Sequence, residues 1–133
     1  MRKLENKTAL VTGGSRGIGK AWESPNQAIY NTTKHAVVGM SKCVALETAA
    51  RGVQVNTICP GMVDTDMFQD FEPHAKQAGI SLDELKAVAI TRIPQGRFLQ
   101  PEEVADLAVY LASSASDGMT GQTITLSGGM RMA

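Results

Sequence analysis

Residues 8–19 read TALVTGGSRGIG, a short apolar run that ends in a glycine-rich turn. The partly β-branched run at 8–12 predicts a buried strand. Gly13, Gly17 and Gly19 follow at spacings typical of a turn between a strand and the N-terminus of a helix. Such glycines let the backbone approach a pyrophosphate, so the stretch indicates a strand-turn-helix unit with a candidate phosphate site. An ordinary glycine-rich turn is the alternative on this pattern alone.

A tyrosine and a lysine form the second motif. The best helical pattern of the chain runs from about 27 to 50, with Gly52 placed to cap its C-terminal end. Tyr30 and Lys34 are four residues apart on it, so the phenol and the ammonium share one face. A nearby cation favours the phenolate form, which suits a tyrosine that takes a proton from a hydroxyl group. The alternative is a tyrosine and a lysine on an ordinary solvated face.

The rest of the chain alternates strand and helix patterns. The run VQVNTI at 53–58 meets Pro60-Gly61, which predicts a strand running into a loop. Residues 62–80 show no clear period, and we expect them to be irregular, with His74 in a polar loop. The remaining predicted elements are a helix with a Ser81/Glu84 capping box that Pro94 ends, a helix from Pro101 to Ala112, and a last strand at 122–126.

Composition narrows the class of protein. The 133 residues are 43% hydrophobic, which suits one globular domain. Thirteen basic residues balance thirteen acidic ones, so we expect small-molecule partners and neither nucleic acid nor membrane. No signal peptide or membrane-spanning run is visible, which predicts a cytoplasmic location. The two cysteines and two histidines lack metal-site spacing, and we predict no metal.

Five motifs occur in an order that identifies a family. They are the strand at 8–12, TGGSRGIG at 12–19, YNTTK at 30–34, VNTICPGMVDT at 55–65 and GQTITLSGG at 121–129. With these motifs the chain resembles the short-chain dehydrogenase/reductase family, and within it most resembles cytoplasmic polyol, diol and secondary-alcohol dehydrogenases. The resemblance implies a reduced Rossmann-like, three-layer α/β fold with an incomplete parallel sheet. It also implies a homo-oligomeric oxidoreductase that transfers hydride between NAD or NADP and a secondary alcohol or polyol and its ketone.

The resemblance assigns roles to individual residues. Tyr30 matches the general acid/base, and Lys34 matches the residue that holds the nicotinamide ribose. The stretch from Asp66 to about Arg97 corresponds to the family's substrate lobe. The residues that match the cofactor-binding segments are Gly13, Ser15, Arg16, Gly17, Ile18 and Gly19 in the dinucleotide loop, and Pro60, Gly61, Val63 and Thr65 in the segment that holds the nicotinamide carboxamide. Arg16 slightly favours NADP, because a guanidinium accepts a phosphate.

One departure from the family is large. A long central segment separates the glycine loop from the tyrosine in the family, whereas Gly19 and Tyr30 are 11 residues apart here. That segment would carry the middle strands, the residue that selects NAD or NADP, and the catalytic serine. We therefore predict one truncated domain over 1–133, composed of a glycine-loop block at 1–21 and a second block at 22–133, with impaired turnover. The alternative is a catalytically inactive remnant that acts as a structural or interaction module.

Overall fold

A computed structural model of the chain describes residues 28–130 as an α/β arrangement of helices around a two-stranded parallel sheet. The predicted strand at 8–12 and glycine turn at 13–19 lie outside these residues. Within 28–130 no helix has both the length and the apolar composition needed to cross a membrane. The elements, in chain order, are α1 (Ala28–Thr48), β1 (Thr57–Pro60), α2 (Glu72–Gln77), α3 (Leu82–Ile90), α4 (Pro101–Ala112) and β2 (Thr123–Leu126), with 3-10 turns at Ala49–Arg51, Asp66–Phe71 and Ser114–Ser116.

The long helix ends where the sequence predicts. A 3-10 turn extends α1 to Arg51, and Gly52 follows in the left-handed conformation with φ of 72°. The N–H of Gly52 donates to the carbonyl of Ala49 at 3.0 Å, which satisfies one of the orphan carbonyls at the helix end. Ala45 is the buried residue of α1, and it lies close to Gly121. A Cβ added to Gly121 would be 3.5 Å from the Cβ of Ala45.

The sheet begins later than the alternation of residues 53–58 predicts. β1 pairs in parallel with β2 from Thr57↔Thr123 to Pro60↔Leu126. Before that register, one backbone hydrogen bond joins the two segments, from the Gly121 N–H to the Val55 carbonyl at 2.7 Å. The side-chain amide of Asn56 donates to the Met119 carbonyl at 2.8 Å and accepts from the Gln122 N–H at 3.1 Å. The predicted strand is therefore displaced toward Pro60, because the Asn56 side chain takes the place of part of the backbone pairing at its start.

Residues 66–77 are helical, so the expectation of an irregular segment with His74 in a loop is wrong. A 3-10 turn over Asp66–Phe71 leads directly into α2, which contains His74. Aromatic packing stabilises the pair of turns, with the Phe68 and Phe71 rings 5.6 Å apart and Ala75 buried. Each piece is too short to show a helical period in the sequence.

The capping box predicted for α3 is present. The N–H of Glu84 donates to the Ser81 hydroxyl at 3.2 Å, and the Glu84 carboxylate accepts from the Ser81 N–H at 2.7 Å. The Ser81 N–H and the Ser81 hydroxyl, which donates to the same carboxylate at 2.9 Å, hold the pKa of Glu84 below its ordinary value. The helix ends at Ile90, ahead of Pro94, because the chain tightens into a turn whose Ile93 N–H donates to the Ile90 carbonyl.

The main hydrophobic core lies beneath the lobe formed by residues 66–97. Ala89, Ile93 and Phe98 are buried together there. The Phe98 ring meets the Phe68 ring edge to face, with centroids 5.3 Å apart, which is a favourable aromatic geometry. The partly buried residues that pack against this core are Met62, Phe68, Ile90 and Met130. The core therefore joins the lobe to the loop after β1 and to the end of the described chain.

Helix α4 starts at Pro101, as predicted, and Glu103 fixes its first turn. The Glu103 carboxylate accepts from the Gln100 N–H at 2.7 Å and from the Arg97 guanidinium at 2.7 and 2.8 Å. This bidentate pair, helped by the backbone hydrogen bond, lowers the pKa of Glu103 to about 2. Arg97 at the end of the lobe is thereby tied to the start of α4.

The Glu103 contacts predict an acid-sensitive contribution to stability. A carboxyl whose pKa is lower in the folded state stabilises the fold at pH values above its ordinary pKa of 4.5, and this is lost as pH falls toward about 2. Urea unfolding of the parent and Glu103→Gln should therefore differ at neutral pH and converge across that window. Glu102→Gln, on an exposed residue of the same first turn, should show no such convergence. A difference for Glu103→Gln that is constant from pH 6 to about pH 2 contradicts the assignment.

Candidate functional site

Tyr30 and Lys34 lie together on the first turns of α1. The Lys34 Nζ is 5.3 Å from the centroid of the Tyr30 ring, within the range of a cation–π contact. Their spacing of four places both side chains on one helix face, as the sequence predicts. Tyr30 is 37% exposed, so its ring has an accessible edge. The structure thus brings a phenol and an ammonium to one partly open surface.

The loop after β1 starts with a close backbone approach that favours glycine. The N–H of Gly61 continues the ladder by donating to the Leu126 carbonyl at 2.8 Å. A Cβ on Gly61 would lie 3.0 Å from both Cα and Cβ of Ser127, which is tighter than ordinary contacts. Pro60 is buried beside it at the end of β1. Pro60 and Gly61 therefore fix the direction in which the chain leaves the carboxyl edge of the sheet.

Val63 is held by its neighbours and keeps its own peptide groups available. It forms a parallel bridge to Leu99, whose N–H donates to the Met62 carbonyl at 2.9 Å and whose carbonyl accepts from the Asp64 N–H at 2.8 Å. In this geometry the N–H and C=O of Val63 point away from Leu99. Among residues 28–130 neither group has a hydrogen-bond partner. An adjacent donor and acceptor of this kind complement an amide.

Thr65 ends the same segment with a hydroxyl that does not cap the next turn. Its backbone is extended, with φ of −139° and ψ of 162°, and its side chain makes no capping hydrogen bond. The Thr65 carbonyl accepts from the Phe68 N–H at 3.0 Å, which starts the 3-10 turn. The hydroxyl is thus positioned by the backbone on both sides and is free of a capping role.

A polar cavity of about 190 Å³ opens beside Thr65. It lies between the end of the β1 loop and the first turn of α3. Its lining combines three carboxylates, one ammonium, two uncharged polar side chains and two apolar ones, namely Asp64, Asp66, Asp83, Lys86, Thr65, Gln69, Phe68 and Leu82. A half-open polar lining of this kind suits a hydroxylated small molecule better than an apolar one.

The predicted site residues fall into three groups. Tyr30 and Lys34 share a face of α1, and the residues predicted to hold the nicotinamide carboxamide, Pro60, Gly61, Val63 and Thr65, belong to one continuous segment that starts at the end of β1. The dinucleotide-loop residues Gly13, Ser15, Arg16, Gly17, Ile18 and Gly19 lie outside the described residues. Among the described residues, no cluster of three histidine, cysteine or acidic side chains is arranged to hold a metal ion. Burial raises the pKa of the Cys59 thiol, which disfavours the reactive thiolate.

Two features of the loop are not visible in the sequence. The Val63↔Leu99 bridge joins segments far apart in the chain, and Lys86 reaches the Asp64 carboxylate at 2.7 Å from the side of α3. A lysine on the lobe helix and an aspartate in the loop are common residue types without a fixed spacing. Only the packing of the lobe brings them together.

Comparison with known proteins gives the family. Residues 1–131 match the sequence model of the family described as Enoyl-(Acyl carrier protein) reductase. The 3-oxoacyl-[acyl-carrier-protein] reductase FabG of Staphylococcus aureus is 39% identical over 129 residues, which cover 97% of this chain and 48% of that protein. The chain belongs to the short-chain dehydrogenase/reductase family, whose members are NAD(P)-dependent oxidoreductases. It spans about half the length of the curated relatives that it matches.

Solved structures share the fold. A short chain dehydrogenase family protein from Francisella tularensis superposes with a TM-score of 0.79 at 37% identity, covering 84% of this chain and 48% of that one. An actinorhodin polyketide ketoreductase with NADPH gives 0.77 at 31% identity, with 84% and 44% covered. Sorbitol-6-phosphate 2-dehydrogenase from Erwinia amylovora gives 0.80 at 25% identity, with 86% and 47% covered. These neighbours confirm the predicted Rossmann-like α/β class.

Proposed function

We propose that the chain binds NADP(H) and interconverts a secondary alcohol and its ketone. The observation that carries this proposal is the peptide of Val63, whose N–H and C=O lie side by side without partners among residues 28–130. The carboxamide of a nicotinamide has one acceptor and one donor group to match them. The hydroxyl of Thr65 lies two residues further along the same extended segment.

The residues present fit a nicotinamide cofactor. Gly61 admits the close backbone approach at the sheet edge, and ligands of open parallel sheets bind outside the carboxyl ends of the strands. When bound, the cofactor supplies or accepts the hydride. Two observations favour NADP over NAD. Arg16 belongs to the dinucleotide loop in the sequence, and a related ketoreductase structure contains NADPH.

Tyr30 and Lys34 have complementary roles in this proposal. The Tyr30 hydroxyl would give a proton to the carbonyl oxygen in reduction, and the Tyr30 phenolate would take a proton from the alcohol in oxidation. The Lys34 ammonium, which lies 5.3 Å from the centroid of the ring, would donate hydrogen bonds to the ribose. The short distance between the two side chains supports both roles.

The substrate class remains a choice between two branches. The names of relatives include 3-oxoacyl and ketoacyl reductases, whereas a polyol, diol or secondary alcohol is expected from the resemblance to that branch of the family. The polar lining of the cavity beside Thr65 and the fold shared with a sorbitol-6-phosphate dehydrogenase support a hydroxylated substrate. A panel that contains polyols, secondary alcohols and a 3-oxoacyl thioester separates the branches by relative kcat/KM.

A fluorescence titration with NADPH and NADH tests the proposed function. The parent should bind NADPH saturably, and Lys34→Met should weaken binding roughly tenfold or more, because a charged hydrogen bond to the ribose is lost. Lys42→Met, on an exposed lysine of the same helix, should bind as the parent does. A folded parent that binds neither nucleotide overturns the proposal.

We also propose that the protein acts in the cytoplasm as a homo-oligomer. Four apolar side chains along one side of α1 are uncovered, with Ile29 84% and Met40 57% exposed, and we call this set the α1 apolar face: Ile29, Val37, Met40 and Val44. A surface of this kind favours association. Light scattering across a range of protein concentrations measures the oligomeric state.

The alternative function is an interaction module without catalysis. The α1 apolar face is the observation that favours it, since it provides a binding surface that needs no cofactor. The NADPH titration distinguishes the two functions. A folded chain that associates through α1, loses this association in Met40→Lys, and fails to bind NADPH would be such a module.

A further inference from the structure

Lys86 makes two charge-dependent contacts that link the lobe to the loop after β1. Its Nζ lies 2.7 Å from the Asp64 Oδ1 and 5.2 Å from the centroid of the Phe98 ring. Its side chain is 35% exposed and that of Asp64 is 41% exposed, so the ion pair is only partly screened by water. The ammonium therefore bridges α3, the loop and the buried aromatic core.

The Asp64 residue is held at both its backbone and its side chain. Its N–H donates to the Leu99 carbonyl at 2.8 Å, and its carboxylate accepts from Lys86. Leu99 directly follows Phe98, the ring beneath the Lys86 ammonium. The two anchors thus come from one small region of the core, and they fix Asp64 in position as well as in orientation.

The neighbours of Asp64 are the residues assigned to the cofactor. Val63 presents peptide groups that have no hydrogen-bond partner within 28–130, and Thr65 presents its hydroxyl, on either side of Asp64. Side chains alternate along an extended strand, so a rotation about Asp64 would redirect both neighbours. Loss of the Lys86 contact therefore alters the cofactor segment without removing any atom that touches the cofactor.

We propose that Lys86 is a positioning residue, which couples the lobe to nicotinamide binding by fixing Asp64 between Val63 and Thr65. The inference rests on the proposed function. It predicts that order in the loop and affinity for NADPH change together when the ion pair is broken. It also predicts coupling in the opposite direction, so that bound NADPH protects the first turn of α3 from exchange.

Lys86→Met tests the coupling with two readouts. Amide hydrogen exchange, followed by mass spectrometry, should quicken about fivefold over residues 62–66, since one partly exposed ion pair is lost. The dissociation constant for NADPH should rise by about the same factor. Lys86→Arg should restore both values to within about twofold of the parent, because a guanidinium keeps the charge and the aromatic contact.

Lys76→Met is the matched control. Lys76 forms an exposed ion pair with Glu72 at 2.9 Å on the neighbouring helix α2. Its replacement should leave both readouts unchanged. The charge-swapped double variant Asp64→Lys/Lys86→Asp should exchange more slowly over residues 62–66 than either single variant.

The outcomes separate the inference from the proposed function. If the parent binds NADPH and Lys86→Met binds it with the same dissociation constant, the positioning role of Lys86 is overturned. A parent that does not bind NADPH overturns the proposed function, and exchange then decides whether Lys86 fixes the loop. If exchange over residues 62–66 is unchanged in Lys86→Met, Lys86 does not fix the loop. Faster exchange that Lys86→Arg reverses supports a role for Lys86 in fixing the loop.

Discussion

Replacing Gly128 with alanine should lower the free energy of unfolding by about 2 to 4 kcal/mol. Gly128 is buried and has a φ of 62°, a conformation that costs an L-residue energy. An added Cβ would also lie 2.8 Å from the Ile93 Cγ2, inside a packed core. The two costs add because the backbone strain does not relieve the clash. Urea unfolding monitored by circular dichroism measures the loss.

Gly96→Ala is the matched control for the cost of placing alanine at a positive φ. Gly96 has a similar φ of 68°, but no atom lies within 4 Å of an added Cβ. Its replacement should cost only about 1 kcal/mol. Equal losses in the two variants would show that contact with Ile93 contributes nothing to the requirement for glycine at 128.

The position of Gly128 makes this loss relevant to the site. Its carbonyl accepts from the Gln95 N–H at 3.0 Å, and the preceding Ser127 lies against Gly61. The turn after β2 therefore contacts both the end of the lobe and the start of the loop after β1. A change that displaces this turn should disturb the loop as well as the core.

Tyr30→Phe should reduce turnover by about 10²- to 10⁴-fold with little change in NADPH affinity. The substitution removes only the hydroxyl that we propose to carry the proton, and it keeps the ring beside Lys34. Stopped-flow or steady-state oxidation of NADPH gives kcat when the substrate is the 3-oxoacyl thioester or a ketone that corresponds to an alcohol of the panel. The fluorescence titration gives the dissociation constant. A loss in kcat without a loss in binding assigns the hydroxyl to the chemical step.

Tyr110→Phe is the matched control, because Tyr30 and Tyr110 are the two tyrosines of the chain. The Tyr110 hydroxyl makes long contacts with the Ala115 carbonyl and the Met119 sulfur, away from the loop after β1. Its removal should leave kcat within about twofold of the parent. Retained activity in Tyr30→Phe contradicts the proposed proton transfer, and a parent that binds NADPH without turnover favours the inactive remnant.

Local sequence signals predicted the helices well. Gly52, the Ser81/Glu84 pair and Pro101 each act within a few residues of their own position, and each lies where the sequence places it. The spacing of Tyr30 and Lys34 likewise predicts their shared face, because helix geometry alone determines it.

Features that depend on tertiary contacts were not predictable from local patterns. The start of β1 shifted because Asn56 hydrogen-bonds to residues more than sixty positions away in the chain. The 3-10 turn and α2 form around Phe68, Phe71 and Ala75, whose packing does not produce a readable period. The roles of the residues assigned to the cofactor remain predictions, since sequence motifs assign them and the structure describes only Lys34 and the residues from the end of β1 onward.

A two-dimensional ¹H–¹⁵N NMR titration with NADPH tests whether the loop after β1 and the start of α1 together bind the nicotinamide cofactor. We expect saturable shifts that are largest at the amides of Gly61, Val63 and Thr65, with a second group at the start of α1 around Tyr30 and Lys34. The amide of Val63 should shift downfield as it gains a hydrogen-bond acceptor. A well-dispersed spectrum that does not change with NADPH, or that changes only at residues remote from these two groups, would show that these residues do not form the cofactor site.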